Sequence, residues 1–113
     1  MDNKFVEIAS LTSLDDFVAE LNGAPGILFK HSDSCGISSR AYNEMSRVPY
    51  RVGLVVVQQA RPVSDEIEKR WRVSHETPQV LIVRDGAVLW NASHFEVKAA
   101  DVEAVLNKAN GEA

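Results

Sequence analysis

Leu54-Val55-Val56-Val57 is the stretch that most restricts what this chain can become. It is apolar at every position and rich in β-branched residues, so it suits an extended strand and offers water no polar face. A strand buried on both sides needs helices above and below its sheet, and the flanking sequence supplies them. Upstream, Leu14, Phe17, Val18 and Leu21 share one helical face, with Thr12 or Ser13 as the expected cap and Gly23 as the stop. From Ile37 onward, Ala41, Met45 and Val48 recur at helical spacing until Pro49. Downstream, Arg61-Pro62-Val63-Ser64 opens a helix whose inner face carries Val63, Ile67 and Trp71. Val102, Val105, Leu106 and Ala109 mark a closing helix that fades into the polar tail Asn110-Gly111-Glu112-Ala113.

The remaining apolar runs read as strands: Lys4 to Ile8, Gly26 to Lys30, Gln79 to Val83, and Val88 to Trp90. Asp85-Gly86 between the last two is a hairpin signal. The order is β-α-β-α-β-α-β-β-α. Its β-α-β stretches require parallel pairing with right-handed crossovers, and its final hairpin is antiparallel. The expectation is an α/β fold, a central mixed β-sheet flanked by helices, with residues 1–113 as one domain.

Composition narrows the function. Hydrophobic residues make up 45% and the net charge is −4, which suits a globular chain with a core and gives no basic stripe for nucleic acid. No apolar run is long enough to cross a bilayer. Met1-Asp2-Asn3-Lys4 lacks the basic and then apolar layout of a secretion signal, and one cysteine cannot form an internal disulfide. The reading is a cytoplasmic protein that binds neither nucleic acid nor membrane.

Cys35 stands where the strand ending at Lys30-His31 passes through Ser32-Asp33-Ser34 into the second helix. A lone cysteine often packs as a small hydrophobe. At a helix start, however, it meets free backbone N–H groups and the positive end of the dipole, which favour the nucleophilic thiolate. The polar residues before Cys35 and the helix after it favour the reactive reading. The element order, with a cysteine at this place, resembles the thioredoxin fold. That resemblance implies that Thr77-Pro78, directly before the fourth strand, is cis and lies beside Cys35. Thr77 would then offer backbone groups to an incoming disulfide as one more strand.

A narrower resemblance rests on Phe29-Lys30-His31-Ser32, Cys35, Ile37-Ser38 and Gln58 to Ser64. It continues through His75-Glu76-Thr77-Pro78-Gln79 and the run from Asp85 to His94. Together these segments are similar to the YtxJ-like monothiol bacilliredoxin family. Membership would imply a thiol-disulfide oxidoreductase that removes bacillithiol, a low-molecular-weight thiol, from protein mixed disulfides. Cys35 would be the catalytic nucleophile, with Ser34, Gly36, Ile37, Ser38, Thr77 and Pro78 around the substrate. Bacillithiol would be a co-substrate with no cofactor tightly bound, and bacillithiolated client proteins would be the partners. The family usually places proline after the cysteine, and Gly36 stands there instead. Glycine is the looser helix opener, and its effect on the thiol has no assignable direction.

Two alternatives stay open. Cys35-Gly36-Ile37-Ser38 is similar to the Cys-Gly-Phe-Ser motif of monothiol glutaredoxins, which use glutathione and bridge an iron–sulfur cluster between subunits. The stretch equivalent to the loop after their last strand, Trp90-Asn91-Ala92-Ser93-His94, lacks its Gly-Gly-Cys-like pattern. The other alternative is a non-catalytic thioredoxin-fold binding module. His31, His75 and His94 match no zinc spacing, so no metal is expected. His31, if protonated, is placed to stabilise a thiolate four residues on, and Lys30 is either a distant helper or a solvated lysine at a strand end. Arg40 either meets the carboxylates of a small acidic thiol or faces water. Oligomeric state is not encoded legibly.

Overall fold

A computed structural model describes residues 4–111; the leader reading at Met1 to Asn3 and the tail residues Glu112 and Ala113 lie outside the described residues. Strands β1 (Phe5–Glu7), β2 (Gly26–His31), β3 (Val52–Val56), β4 (Gln79–Arg84) and β5 (Ala87–Ser93) form one sheet in the order β1-β3-β2-β4-β5. β3 is parallel to both β1 and β2, whereas β4 runs antiparallel to β2 and β5. Helices α1 (Leu11–Leu21), α2 (Gly36–Met45), α3 (Arg61–Trp71) and α4 (Ala99–Ala109) complete the thioredoxin-like fold, with a 3₁₀ turn at His94–Glu96.

The sheet divides the core in two. On one face Ile27, Phe29, Val52, Val80 and Ile82 pack with Ala41 and Met45 of α2 and Val102 and Leu106 of α4. On the other, Leu28, Val55, Leu81 and Val83 pack with Leu14 and Phe17 of α1 and Val63, Ile67 and Trp71 of α3. Alternate side chains along β2 therefore enter opposite clusters, as the two-residue period of a strand requires.

Several boundaries move, each for a local reason. Helix α1 is capped by Ser10, not by Thr12 or Ser13. The Ser10 hydroxyl accepts from Ser13 N–H at 3.1 Å, and Ser13 Oγ accepts from Ser10 N–H at 3.0 Å. This reciprocal pairing satisfies two backbone donors and explains why Ser13 reads like a cap. The helix closes at Asn22, left-handed at φ 51, ahead of Gly23 at φ 87. β3 begins at Val52, two residues before the β-branched run, because Phe5 and Ile27 both pair with Val52. Helix α2 ends at Met45, and Val48 joins the core from the turn that follows.

Candidate functional site

The C-terminal end of β2 is where the chain turns from scaffold to chemistry. Both faces are closed there: Lys30 is fully buried on the α3 side and His31 is 9% exposed on the α2 side. His31 Nδ1 lies 2.8 Å from Ser38 Oγ, and that hydroxyl also accepts Ser32 N–H at 2.8 Å. Ser38 thereby clips the loop that leaves β2 to the first turn of α2. Gln58, after β3, holds the loop from outside. Its Nε2 donates to Ser32 Oγ at 2.7 Å and to Ser34 Oγ at 3.0 Å.

Cys35 follows as the N-cap of α2, with extended backbone at φ −123 and ψ 128. Its carbonyl accepts the first helical bond, from Ser39 N–H at 3.0 Å. Its side chain makes no capping bond, so the sulfur is not committed to the helix, and the residue is partly exposed with a free thiol. The next backbone N–H groups, from Gly36, Ile37 and Ser38, precede the first intrahelical donor and are the ones a helix start leaves open. Gly36 is exposed, and a Cβ there would meet nothing within 4 Å.

The second wall comes from β4. Thr77-Pro78 is a cis peptide, as the resemblance to thioredoxins implied. Gln79 pairs with Lys30, so Pro78 lies just beyond that pair, at the end of the sheet from which β2 leads to Cys35. Pro78 is buried and its carbonyl accepts from His94 N–H at 2.9 Å. His94, left-handed at φ 58, places Nε2 at 3.2 Å from Glu76 Oε1. Thr77 is half-buried, with Oγ1 3.2 Å from His75 Nε2.

The sequence-derived residues thus gather around one end of the sheet, with differences in role. Ser34, Gly36, Ile37 and Thr77 are at least partly exposed. Ser38 is fully buried and its hydroxyl is already engaged by His31 and Ser32, so its side chain holds the loop that leaves β2. Burial pushes the His31 imidazole below its ordinary value, against the opposing pull of Asp33 and the Ser38 hydrogen bond. Burial thus disfavours the imidazolium that would stabilise a thiolate, and the ring is engaged with Ser38 instead. Lys30 is not a solvated lysine at a strand end. Burial lowers its ammonium pKa to about 8, opposed by Glu68, Asp65 and Glu76. The Arg40 guanidinium lies 5.7 Å from the centroid of Phe95, an aromatic ring 57% exposed beside the same helix. Gln58 was not assigned a role from sequence. Its only signal was membership in the segment Gln58 to Ser64 that carries the family resemblance.

Among the described residues no helix is long and apolar enough to cross a membrane. Among the same residues, no group of three or more His, Cys, Asp or Glu side chains is arranged to hold a metal ion. The histidines are engaged separately, with Ser38, with Ser64 and Thr77, and with Glu76.

A family model described as monothiol bacilliredoxin BrxC matches residues 6–102. The chain belongs to that family. Among solved structures, one described as a candidate oxidoreductase with a thioredoxin fold is 26% identical, with a TM-score of 0.82 over 89% of this chain and 92% of that one. Thioredoxin from Trypanosoma brucei brucei aligns at 14% identity and TM-score 0.75, over 96% of this chain and 92% of its own. Fasciola hepatica thioredoxin aligns at 13% identity and TM-score 0.72, over 91% and 97%. The thioredoxins show a shared fold. Bacilliredoxin membership and the fold together support a thiol oxidoreductase-like role.

Proposed function

We propose that this bacilliredoxin-family protein removes bacillithiol from protein mixed disulfides through Cys35. The observation that carries the reading is a partly exposed Cys35 with an uncommitted thiol at the start of α2, at the sheet end that also carries the cis Thr77-Pro78 peptide. In the first step the Cys35 thiolate attacks the bacillithiol sulfur of the mixed disulfide. A bond forms between those two sulfurs, the bond to the client sulfur breaks, and the client leaves as a thiolate that takes a proton from water. A thiol from outside then attacks the bacillithiol sulfur, forms a disulfide with it and releases the Cys35 thiolate, because the chain has no second cysteine to resolve the adduct.

Three sulfurs must lie nearly in line for each exchange, so the protein's task is mainly placement. Ser34 and Gly36 border the sulfur, and Thr77 offers backbone groups to the client segment as an added strand. No tightly bound cofactor takes part. The reaction belongs in the cytoplasm, where a pool of low-molecular-weight thiol regenerates Cys35.

The test uses a bacillithiolated protein substrate and follows release of its thiol over many turnovers. The wild-type protein should release it, and Cys35→Ser should not. Undiminished release by Cys35→Ser rejects the role given to the sulfur. A wild-type chain whose Cys35 alkylates at pH 7 no faster than a small free thiol would instead be a binding module with the same fold.

A further inference from the structure

The α3 face behind the cis-Pro peptide holds an unusual polar group. Lys30 is fully buried, and among the described residues its Nζ has no hydrogen-bond partner. The segment joining α3 to β4, whose His75 and Glu76 interact electrostatically with this amine, is fastened at several points. Gln79 Nε2 donates to Ser74 O at 2.9 Å, and His75 N–H donates to Glu68 Oε2 at 2.8 Å. The His75 ring stands between two hydroxyls, with Nδ1 3.2 Å from Ser64 Oγ and Nε2 3.2 Å from Thr77 Oγ1. Ser64 is fully buried in α3, and Thr77 precedes the cis proline. A neutral imidazole has one donor and one acceptor, and a hydroxyl can answer either. The result is a continuous chain from the interior of α3 to the residue at the substrate edge.

We propose that His75 is a positioning residue for substrate binding: as a neutral imidazole it ties Thr77 to Ser64 and fixes the backbone edge on which the client disulfide segment pairs. The inference rests on the reading of this end of the sheet as a thiol-disulfide exchange site. Lys30 has a part in it. Burial lowers the His75 pKa first, the Lys30 ammonium lowers it next, and Arg61 adds to both, while Glu68 and Glu76 oppose them. These groups face the ring from β2, from α3 and from its own loop, and Asp65 of α3 acts on Lys30 in turn. If His75 takes a proton, both ring nitrogens become donors and the ring becomes a second cation beside Lys30. Both hydroxyls can still accept from the ring, but the second positive charge repels the loop from Lys30.

The experiment measures kcat and KM for a bacillithiolated protein substrate from about pH 5 to 8, the range in which histidine titrates. His75→Ala should raise KM about 5-fold, the size of one lost hydrogen bond, with kcat nearly unchanged. His75→Gln keeps a donor and an acceptor and should recover most of that loss. In the wild-type protein KM should rise on the acid side. Lys30→Met should flatten that rise, and in a His75→Gln background no such rise should appear with or without Lys30→Met; a rise that Lys30→Met leaves unchanged overturns the role of the charge. A His75→Ala variant that loses kcat with KM unchanged, or no recovery with glutamine, overturns the proposal. A separate arm follows the His75 ring nitrogens by NMR in the free protein and needs no turnover. The ring should be neutral at pH 7 and should titrate at higher pH in Lys30→Met; an unchanged titration refutes the contact with Lys30. If the wild-type chain releases no client thiol, the exchange reading fails, and this arm still judges His75 by its own result.

Discussion

Lys30, a buried amine, and Gly36, a glycine opening a helix, each have a measurable consequence. A buried ammonium without a direct partner disfavours the folded state, and the displacement of its pKa from 10.5 to about 8 corresponds to roughly 3 kcal/mol. Between about pH 8 and 10.5 the unfolded chain holds this proton and the folded chain does not, so stability rises with pH across that window. Lys30→Met should raise stability at pH 7 and flatten that rise, as seen by urea unfolding at pH 7 and pH 10, because an apolar group of similar length removes the buried charge. Gly36 is the first residue of α2, its N–H is one that the helix leaves unpaired, and the Cys35 backbone at φ −123, ψ 128 already suits a following proline. Gly36→Pro should therefore stabilise the fold by about 0.5–1 kcal/mol in the same assay, by restricting the unfolded chain. A destabilised Gly36→Pro would mean that this N–H has a folded-state partner that a glycine position permits and a proline forbids.

The loop from β2 to α2 is an element held from two sides, by Ser38 within and Gln58 without. Ser38→Ala leaves Ser32 N–H and His31 Nδ1 without their shared partner, and should cost about 1–3 kcal/mol of stability in thermal or urea unfolding. Gln58→Ala removes exposed bonds only, so it should lower exchange activity while moving stability by less than about 1 kcal/mol. The main elements were legible beforehand: among the described residues, helical periodicity and apolar runs located the four α-helices and five strands, but not the 3₁₀ turn at His94–Glu96, and the place of Cys35 at a helix start followed from the polar turn before it. The roles of Ser38, His31 and Lys30 were not. Polar residues at a strand end look solvated in one dimension, and only the pairing of β2 with both β3 and β4 reveals that Lys30 and His31 lie under helices. The cis state of Thr77-Pro78 was likewise implied by family resemblance and not by any property of the dipeptide. The true cap of α1 was hidden because both serines of a reciprocal pair satisfy the same pattern.

At the scale of the molecule, the sheet separates two apolar clusters while β2 contributes to both. Met45→Ala and Ile67→Ala remove fully buried side chains from opposite faces and should each cost about 2–5 kcal/mol. Because they share no cluster, the double variant should lose the sum of the two within about 0.5 kcal/mol. This division also locates the candidate site: the central strand ends between the two layers, so Cys35 opens α2 at the sheet end that carries the cis-Pro segment, itself bonded to the turn at His94–Glu96. The central claim is that the sulfur at this rim accepts bacillithiol from a client protein. The most direct test is a single turnover at equal concentrations of protein and bacillithiolated client, read by intact mass. The account predicts that this chain gains one bacillithiol as the client loses one, with the added mass on Cys35. A client that loses its bacillithiol while Cys35 carries no adduct at any time would contradict it.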